Sequence, residues 1–546
     1  MERWVLRAGL FVLPLAFWWD TYDHYVLPKL LVARLLLFSL LILFVLRSVT
    51  ARRIHIKRTP LDVPILLFLA SALISTAFAE NLNVGLFGTY GRYDGLLTLL
   101  TYAALFWLSV QAIDGPGEAR ALFRVMLASG YLVAMIAILQ SVTDSLRQDE
   151  LVPAFGTLGQ KNVLGVFMVM LWPLGCWELA ESDSWTGRVL ALNALAVIGT
   201  ALLLSFSRSA WLGAAAAALV VIAGQRSALR RLVTATGLIA VAGVAVVFQS
   251  RGSALPPARA DLSALGDRPS VWADTLHLIA SRPILGYGPD NFGLVFPRFQ
   301  SAFLQQMWDK AHSEILQVTA TQGLAGAAAY LFLLAVVVRT FWRGRSTDGA
   351  LFIFAGWLGY ELVLQLNFST VPASLPFWIF AAATMESLGA SRRARPVMLP
   401  GSRRVPAAGG VAAAALCVLA LATTGLPYLA DAHLLRAVTA DFGGRPREAI
   451  PDAAAAAQLG PWESVYAVEV GNLAFERGEW AAARVAYREA ARLGTYNPLV
   501  YRNLALADRN LGLRAEGEAA ARLAVELDRF DPANRALLAE FEAGTA

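Results

Sequence analysis

The sequence predicts an all-α protein, a polytopic membrane helical bundle of about 12–13 spans followed by a C-terminal α-solenoid. Of its 546 residues, 57% are hydrophobic and only 16% are charged, which is too little charge for the surface of a soluble protein of this size. Apolar runs of roughly 20 residues, long enough to cross a hydrocarbon core, recur along the first four-fifths of the chain. The remainder is rich in Ala, Arg and Glu and has no such run. We therefore predict a membrane domain at 1–430 and a helical domain at 431–546.

Thirteen apolar segments are candidate membrane spans. They lie near residues 8–20, 29–49, 60–79, 95–113, 121–142, 163–182, 187–205, 210–224, 230–249, 320–340, 349–368, 374–390 and 407–428. Arg3 and Arg7 precede the first segment as in a signal peptide, but no small-residue cleavage site follows. We interpret this segment as a retained span.

Basic residues concentrate in alternate loops, which predicts that these loops face the cytoplasm. The clusters lie at 47–58, 226–231, 339–345 and 392–404. The intervening loops, among them 80–94, 143–162, 206–209 and 250–319, then face outward. An odd number of spans places the C-terminal domain in the periplasm or extracytoplasmic space as well.

The C-terminal domain repeats every 34 residues. The repeated positions are Gly444, Gly478 and Gly512; Ala456, Ala490 and Ala524; and Pro498 and Pro532. This period resembles the tetratricopeptide repeat, in which two helices pack as a pair and Pro is expected to end the second helix. Three units and a last helix near 533–542 would form a small solenoid, whose concave face typically binds a protein or peptide. A plain antiparallel helical bundle is the alternative.

A histidine motif lies just before the tenth span, in a predicted outward loop. It reads Lys310-Ala311-His312-Ser313-Glu314, and Gly323 and Gly326 follow it. An imidazole here can accept a proton at neutral pH, although a lone interfacial histidine is more often only a hydrogen-bonding group. The two glycines share one helical face and predict close helix packing.

Two arginines stand out on the same side. Arg208 lies between two apolar spans, where burying a charge in the membrane is costly and such a residue commonly has a function. The alternative is that its side chain extends to the outer membrane–water interface. Arg268 begins the stretch 268–288, in which Trp272, Leu276 and Ile279 share a helical face and predict a helix lying on the membrane.

Two further motifs could orient an anion or a sugar. Arg92 lies in the glycine-rich stretch 88–95, and Lys161 and Asn162 enter the sixth span at a predicted helix N-terminus, which favours anions. Outward cations beside a histidine suit a lipid-linked phosphate or pyrophosphate, because Arg binds phosphate oxygens bidentately. The loops contain no evident carboxylate-rich metal site, so we expect neither a metal nor a cofactor.

The pattern His-Ser, nine residues, Gly-x-x-Gly from His312 to Gly326 resembles the signature of bacterial O-antigen ligases. The stretches 156–162, 207–213 and 268–288 are similar to the same superfamily, which includes O-antigen polymerases and protein O-oligosaccharyltransferases. The resemblance covers roughly residues 10–390. It implies a C-type glycosyltransferase-like fold at the bacterial cytoplasmic membrane and a role in lipopolysaccharide or other polysaccharide biosynthesis. It also implies inverting, metal-independent transfer of a glycan from undecaprenyl pyrophosphate to an acceptor hydroxyl on lipid, polysaccharide or protein.

By this resemblance, His312 matches the essential histidine, and Arg208 and Arg268 match the arginines that hold the donor pyrophosphate. Asp309 or Glu314 would orient the imidazole. The candidate supporting residues are Arg92, Lys161, Asn162, Tyr287, Asp309, Lys310 and Glu314. A polymerase, a protein O-oligosaccharyltransferase, a transporter with a regulatory domain, and a scaffold that recruits partners to its repeats are the alternatives.

Overall fold

The computed structural model describes residues 1–148, 151–224, 266–304, 307–400 and 404–544. These residues are overwhelmingly helical, which confirms the all-α fold class. The predicted span 230–249 and the basic cluster 226–231 lie outside the described residues.

Fourteen helices precede the C-terminal segment in the described part of the chain. They are α1 Glu2–Val12, α2 Val26–Thr50, α3 Asp62–Ala77, α4 Leu82–Phe87, α5 Leu96–Ala112, α6 Pro116–Gln148, α7 Lys161–Ala180, α8 Trp185–Leu204, α9 Arg208–Gly224, α10 Arg268–Ser281, α11 Phe292–Val295, α12 Glu314–Arg343, α13 Ala350–Leu364 and α14 Val371–Ser387. Short 3-10 turns lie at Leu13–Leu15, Gly156–Leu158 and Phe296–Arg298.

The C-terminal segment is helical throughout its described length. Its helices are α15 Arg404–Phe442, α16 Pro446–Leu459, α17 Ser464–Glu476, α18 Trp480–Arg492, α19 Pro498–Asn510, α20 Arg514–Leu527 and α21 Pro532–Ala543. Because α15 runs continuously through residues 430 and 431, the predicted boundary falls inside a helix rather than in a linker. We keep the division into two domains as a proposal.

Within the described residues, six helices are long and apolar enough to cross a membrane: α2, α6, α7, α8, α12 and α15. Four shorter apolar helices accompany them: α3, α5, α9 and α13. The predicted first span, 8–20, is not one helix, because α1 ends at Val12 and a 3-10 turn containing Pro14 follows. Proline lacks the N–H that a continuing helix would need.

Two small antiparallel sheets join two loops that the charge pattern assigns to the cytoplasm. Strand β1 (Arg53–Ile54) pairs with β4 (Val397–Met398), and β2 (Lys57–Arg58) pairs with β3 (Arg392–Arg393). The main core lies between the long helices. Separate small cores lie under the loop that precedes α12 and within the repeats.

The repeat positions have distinct structural roles. Gly444, Gly478 and Gly512 adopt φ of 71°, 71° and 72°, the left-handed conformation that glycine tolerates at the end of a helix. The three repeated alanines are fully buried, so that paired helices approach closely. The prediction that Pro498 and Pro532 end a helix is wrong. Each is the first residue of the next helix, where its missing N–H costs nothing.

Candidate functional site

A break in α12 supports the candidate site. Gly323 has φ 67° and ψ −169° in an otherwise helical stretch, a conformation that essentially only glycine adopts. A Cβ at this position would lie 2.1 Å from the carbonyl oxygen of Ile284, so the backbone of that segment packs directly against the break. The prediction that Gly323 and Gly326 form one face for helix packing is therefore wrong for Gly323, which interrupts the helix.

The motif 286–288 satisfies the carbonyls that the break exposes. Tyr287 N–H donates to the Ala320 carbonyl at 3.1 Å, and Gly288 N–H donates to that of Thr321 at 2.8 Å. The Ser75 hydroxyl of α3 also donates to Thr321, at 2.6 Å. The break in α12 is thereby bonded to the loop after α10 on one side and to α3, which is distant in sequence, on the other.

His312 is held in place by its neighbours on both sides. Its backbone has φ 52°, an uncommon conformation for a residue with a Cβ. The carbonyl of the preceding Ala311 accepts from the Trp272 indole of α10 at 3.0 Å, and the N–H of Ala311 donates to Gln317 at 2.8 Å. The His312 loop is thus tied to α10 and α12 immediately before the imidazole.

The imidazole of His312 lies between two aromatic rings. The ring centroids of Trp308 and Phe368 lie 4.5 Å and 4.8 Å from it, both edge to face. Its Nδ1 is buried and has no hydrogen-bond partner among the described residues. The pKa of His312 is lowered to about 4, mainly by burial and then by the charges of Arg268 and Arg92, which Asp309 opposes. The ring is therefore uncharged at neutral pH.

Arg208 and Arg268 lie at the first positions of α9 and α10. Burial, followed by the nearby charge of Arg208, lowers the pKa of Arg268, so the two guanidinium groups are close enough to repel each other. The buried Nε of Arg268 has no hydrogen-bond partner within the described residues. Arg268 is thus close to both Arg208 and His312, and two neighbouring cations form an environment suited to a multiply charged anion.

The start of α9 lies against the start of α7. The Ser207 hydroxyl donates to Asn162 Oδ1 at 2.8 Å, and a Cβ at Gly165 would lie 2.6 Å from that of Ala210. This contact brings two helix N-termini together. Asn162 positions Arg208 through it, whereas Lys161 is exposed at the first position of α7.

Several predicted supporting residues are occupied by internal contacts. Arg92 forms a bidentate ion pair with Asp309, in which its Nε and Nη2 donate to the two carboxylate oxygens at 2.6 Å and 3.1 Å. Glu314 accepts from the Ser369 N–H and hydroxyl, at 2.8 Å and 3.0 Å. The expectation that Asp309 or Glu314 orients the imidazole by a hydrogen bond is therefore not met.

Lys310 and Tyr287 belong to the framework of the loop. The Lys310 ammonium is buried between Asp290 and Asp94, at 2.7 Å and 2.8 Å. Although burial alone would lower the pKa of Lys310, these two carboxylates raise it well above its usual range. The Tyr287 hydroxyl lies 2.7 Å from that of Ser281.

Helix α10 packs on the small core under the loop through Val271 and Leu278, and Thr275 is buried on the same side. Leu276, on the predicted Trp272–Leu276–Ile279 face, is 57% exposed. That this face lies on the membrane stays a prediction.

Sequence reasoning missed the aromatic walls of the site. Trp308 lies in the histidine loop, and its spacing of four residues from His312 was an available signal. Phe368 follows α13 and also lies 5.1 Å from the Arg92 guanidinium. Nothing in the local sequence linked it to the site.

The repeats dock on the predicted outward loops. Asn81, which directly precedes α4, donates to the backbone carbonyl of Arg492. Asn83, within α4, donates to those of Trp462 and Leu493. The ring of Phe87 stacks on that of Trp462 at 5.7 Å. The repeats therefore lie beside the loops that carry the candidate site.

Comparisons with known proteins agree with the motifs. The family model described as O-antigen ligase matches residues 193–331, a range that contains Arg208, Arg268 and His312. The chain is 24% identical over 419 residues to an O-antigen ligase of Pseudomonas aeruginosa, an alignment that covers 73% of this chain and 96% of the relative. A crystal structure of the APC/C hetero-tetramer Cut9–Hcn1 aligns with 81% of this chain and 76% of its own, at 12% identity and a TM-score of 0.21, which supports no argument about the fold.

The matched domain and the apolar helices indicate a multi-pass bacterial membrane protein. The resemblance predicted from the motifs is confirmed: residues 193–331 match the O-antigen ligase family model, and the chain is similar to an O-antigen ligase over 73% of its length.

Proposed function

We propose that the protein transfers a glycan from undecaprenyl pyrophosphate to an acceptor hydroxyl at the outer face of the cytoplasmic membrane. The family supports the coarser statement of a membrane glycosyltransferase-like role in polysaccharide biosynthesis. The observation that carries the finer proposal is the position of Arg268, on a helix that Trp272 ties to the His312 loop and close to both Arg208 and His312.

The two arginines act on the donor. A pyrophosphate bound between them relieves their mutual repulsion and forms charge-assisted hydrogen bonds. When the bond between the anomeric carbon and the pyrophosphate oxygen breaks, the departing oxygen gains negative charge. Guanidinium groups already in place stabilise that charge without reorganisation.

His312 acts on the acceptor. Its imidazole accepts the proton of the acceptor hydroxyl while the acceptor oxygen bonds to the anomeric carbon from the opposite side, which inverts the configuration. The low pKa ensures that the basic form is present before substrate arrives. Donor binding neutralises the charge of Arg268, so the imidazole becomes more basic in the complex that reacts.

The charge pattern of the loops supports an outward site and outward repeats. The loops that it assigns to the outside contribute Arg92, Asp309 and His312, and the Arg92–Asp309 ion pair joins two of them. The repeats contact the same loops.

A deletion strain tests the function. We expect it to accumulate the undecaprenyl-linked glycan, because the donor at the outer face of the membrane is no longer consumed. The molecule that loses its glycan in this strain identifies the acceptor. Unchanged levels of lipid-linked glycan, with every surface glycan intact, would contradict the proposal and favour a transporter or scaffold.

A polymer or a protein is a second candidate acceptor. The observation that favours it is the docking of the repeats beside the site, since an acceptor approaching His312 must pass near them. Loss of long glycan chains in the deletion strain would indicate a polymerase, and loss of glycan from proteins would indicate an O-oligosaccharyltransferase.

A further inference from the structure

A cavity of about 370 Å³ lies between the repeats and the outer loops, apart from the arginines and the histidine already described. One wall is formed by residues 83, 84, 88–90 and Met307, and the other by the repeat residues 462–465, 468 and 493–497. Its volume falls within the range of about 300–1,000 Å³ that is typical of small-ligand sites.

Three polar side chains line this cavity: Glu463, Ser464 and Tyr496. Glu463 is only 7% exposed, whereas Ser464 and Tyr496 are half-buried. A bound ligand with hydroxyl groups can form hydrogen bonds with the carboxyl and with both hydroxyls.

The rest of the lining suits a sugar rather than a phosphate. Tyr90, Trp462 and Tyr496 provide aromatic surface, and no Lys or Arg is present among the described lining residues. Burial, and after it the nearby Asp431, raises the pKa of Glu463, although Arg34 acts in the opposite direction. Aromatic surface beside hydroxyl and carboxyl groups fits the apolar faces and hydroxyls of a pyranose.

The cavity is next to the candidate site. Met307 precedes Trp308, whose ring contacts His312. Tyr496 is close enough to Asp309 and Arg92 for their charges to act on its hydroxyl. A glycan with one unit at His312 could therefore place a neighbouring unit here.

We propose that this cavity is a subsite for one sugar unit of the glycan that reaches the transferase site, so that the repeats bind carbohydrate directly. The proposal rests on the proposed function for the origin of the sugar. The same chemistry serves a unit of the donor glycan and a unit of a glycan acceptor.

Binding is measured on the full chain in nanodiscs, in the His312→Ala background so that turnover does not interfere. The probe is a set of oligosaccharides released by mild acid from the surface polysaccharide of the source strain. Glu463→Ala and Tyr496→Phe should each weaken binding roughly tenfold, as expected for one lost hydrogen bond. Glu476→Ala is the matched control, because Glu463 directly precedes α17 and Glu476 is exposed at the opposite end of that helix.

Equal affinities in all variants, or binding of peptides but not of oligosaccharides, would overturn the sugar subsite. In the active chain, a higher KM for the lipid-linked donor in Glu463→Ala assigns the subsite to the donor, and a higher KM for the acceptor assigns it to the acceptor. An unchanged KM for both would also overturn it. The two proposals fail separately: normal transfer by His312→Ala refutes the proposed function, whereas binding that is insensitive to Glu463 and Tyr496 refutes only the subsite.

Discussion

Replacing Gly323 by alanine should displace the loop that positions the candidate site. The new Cβ would lie 2.1 Å from the Ile284 carbonyl oxygen and 2.2 Å from its carbon, both backbone atoms that no side-chain rotation can move. Normal contacts start near 3.0 Å, so the segment must shift by about 1 Å. The conformation of Gly323 itself costs a residue with a Cβ about 1–3 kcal/mol.

A shift of this size should weaken the hydrogen bonds of Tyr287 and Gly288 to α12 and move the His312 loop. Because a misplacement of about 1 Å can cost on the order of 100-fold in rate, we expect at least that loss of transfer. The assay compares membrane-inserted protein, its melting temperature in detergent and its transfer rate in proteoliposomes. Gly199→Ala in α8 is the control, since its Cβ would meet open space. Wild-type stability and transfer in Gly323→Ala would refute the role of the break.

Three further predictions concern charges. Because the pKa of His312 is lowered to about 4, its basic form persists down to that pH. The value of kcat/KM should therefore be constant from pH 8 to about pH 5 and fall only at lower pH. A fall in kcat/KM centred near pH 6.5 would contradict the burial argument. Lys310→Met leaves two buried carboxylates without their cation and should lower the free energy of unfolding by about 3–5 kcal/mol, whereas Lys161→Met at an exposed position should leave the melting temperature unchanged. Arg268→Lys should weaken donor binding at least tenfold, because an ammonium lacks the planar fork, while the exposed Arg339→Lys should not; equal affinities would argue against pyrophosphate at Arg268.

Local sequence was sufficient for part of this architecture. The 34-residue spacing predicted a series of paired helices, and each glycine at that interval adopts a left-handed conformation between two helices. The Arg208, Arg268 and His312 motifs indicated three residues that each lie at or next to a helix start, with Arg268 close to the other two.

Contacts between residues far apart in the chain could not be predicted from the sequence. Arg92 and Lys310 looked like free cations, but their carboxylate partners include Asp309 and Asp94, more than 200 residues away in each case. The role of Gly323 depends in the same way on the backbone of Ile284, and periodicity alone made it look like a packing position. A residue pattern predicts that a segment is helical, but it does not predict which distant backbone segment packs against that helix.

The most direct test of the central claim is transfer by His312→Ala in proteoliposomes with purified lipid-linked donor and acceptor, with donor binding measured in parallel. Loss of the general base should reduce the rate by about 10²–10⁴-fold, while donor binding by the two arginines is retained. His277→Ala is the matched control, because His277 is exposed on the adjoining α10, and it should transfer normally. Near-normal transfer by His312→Ala would contradict the account.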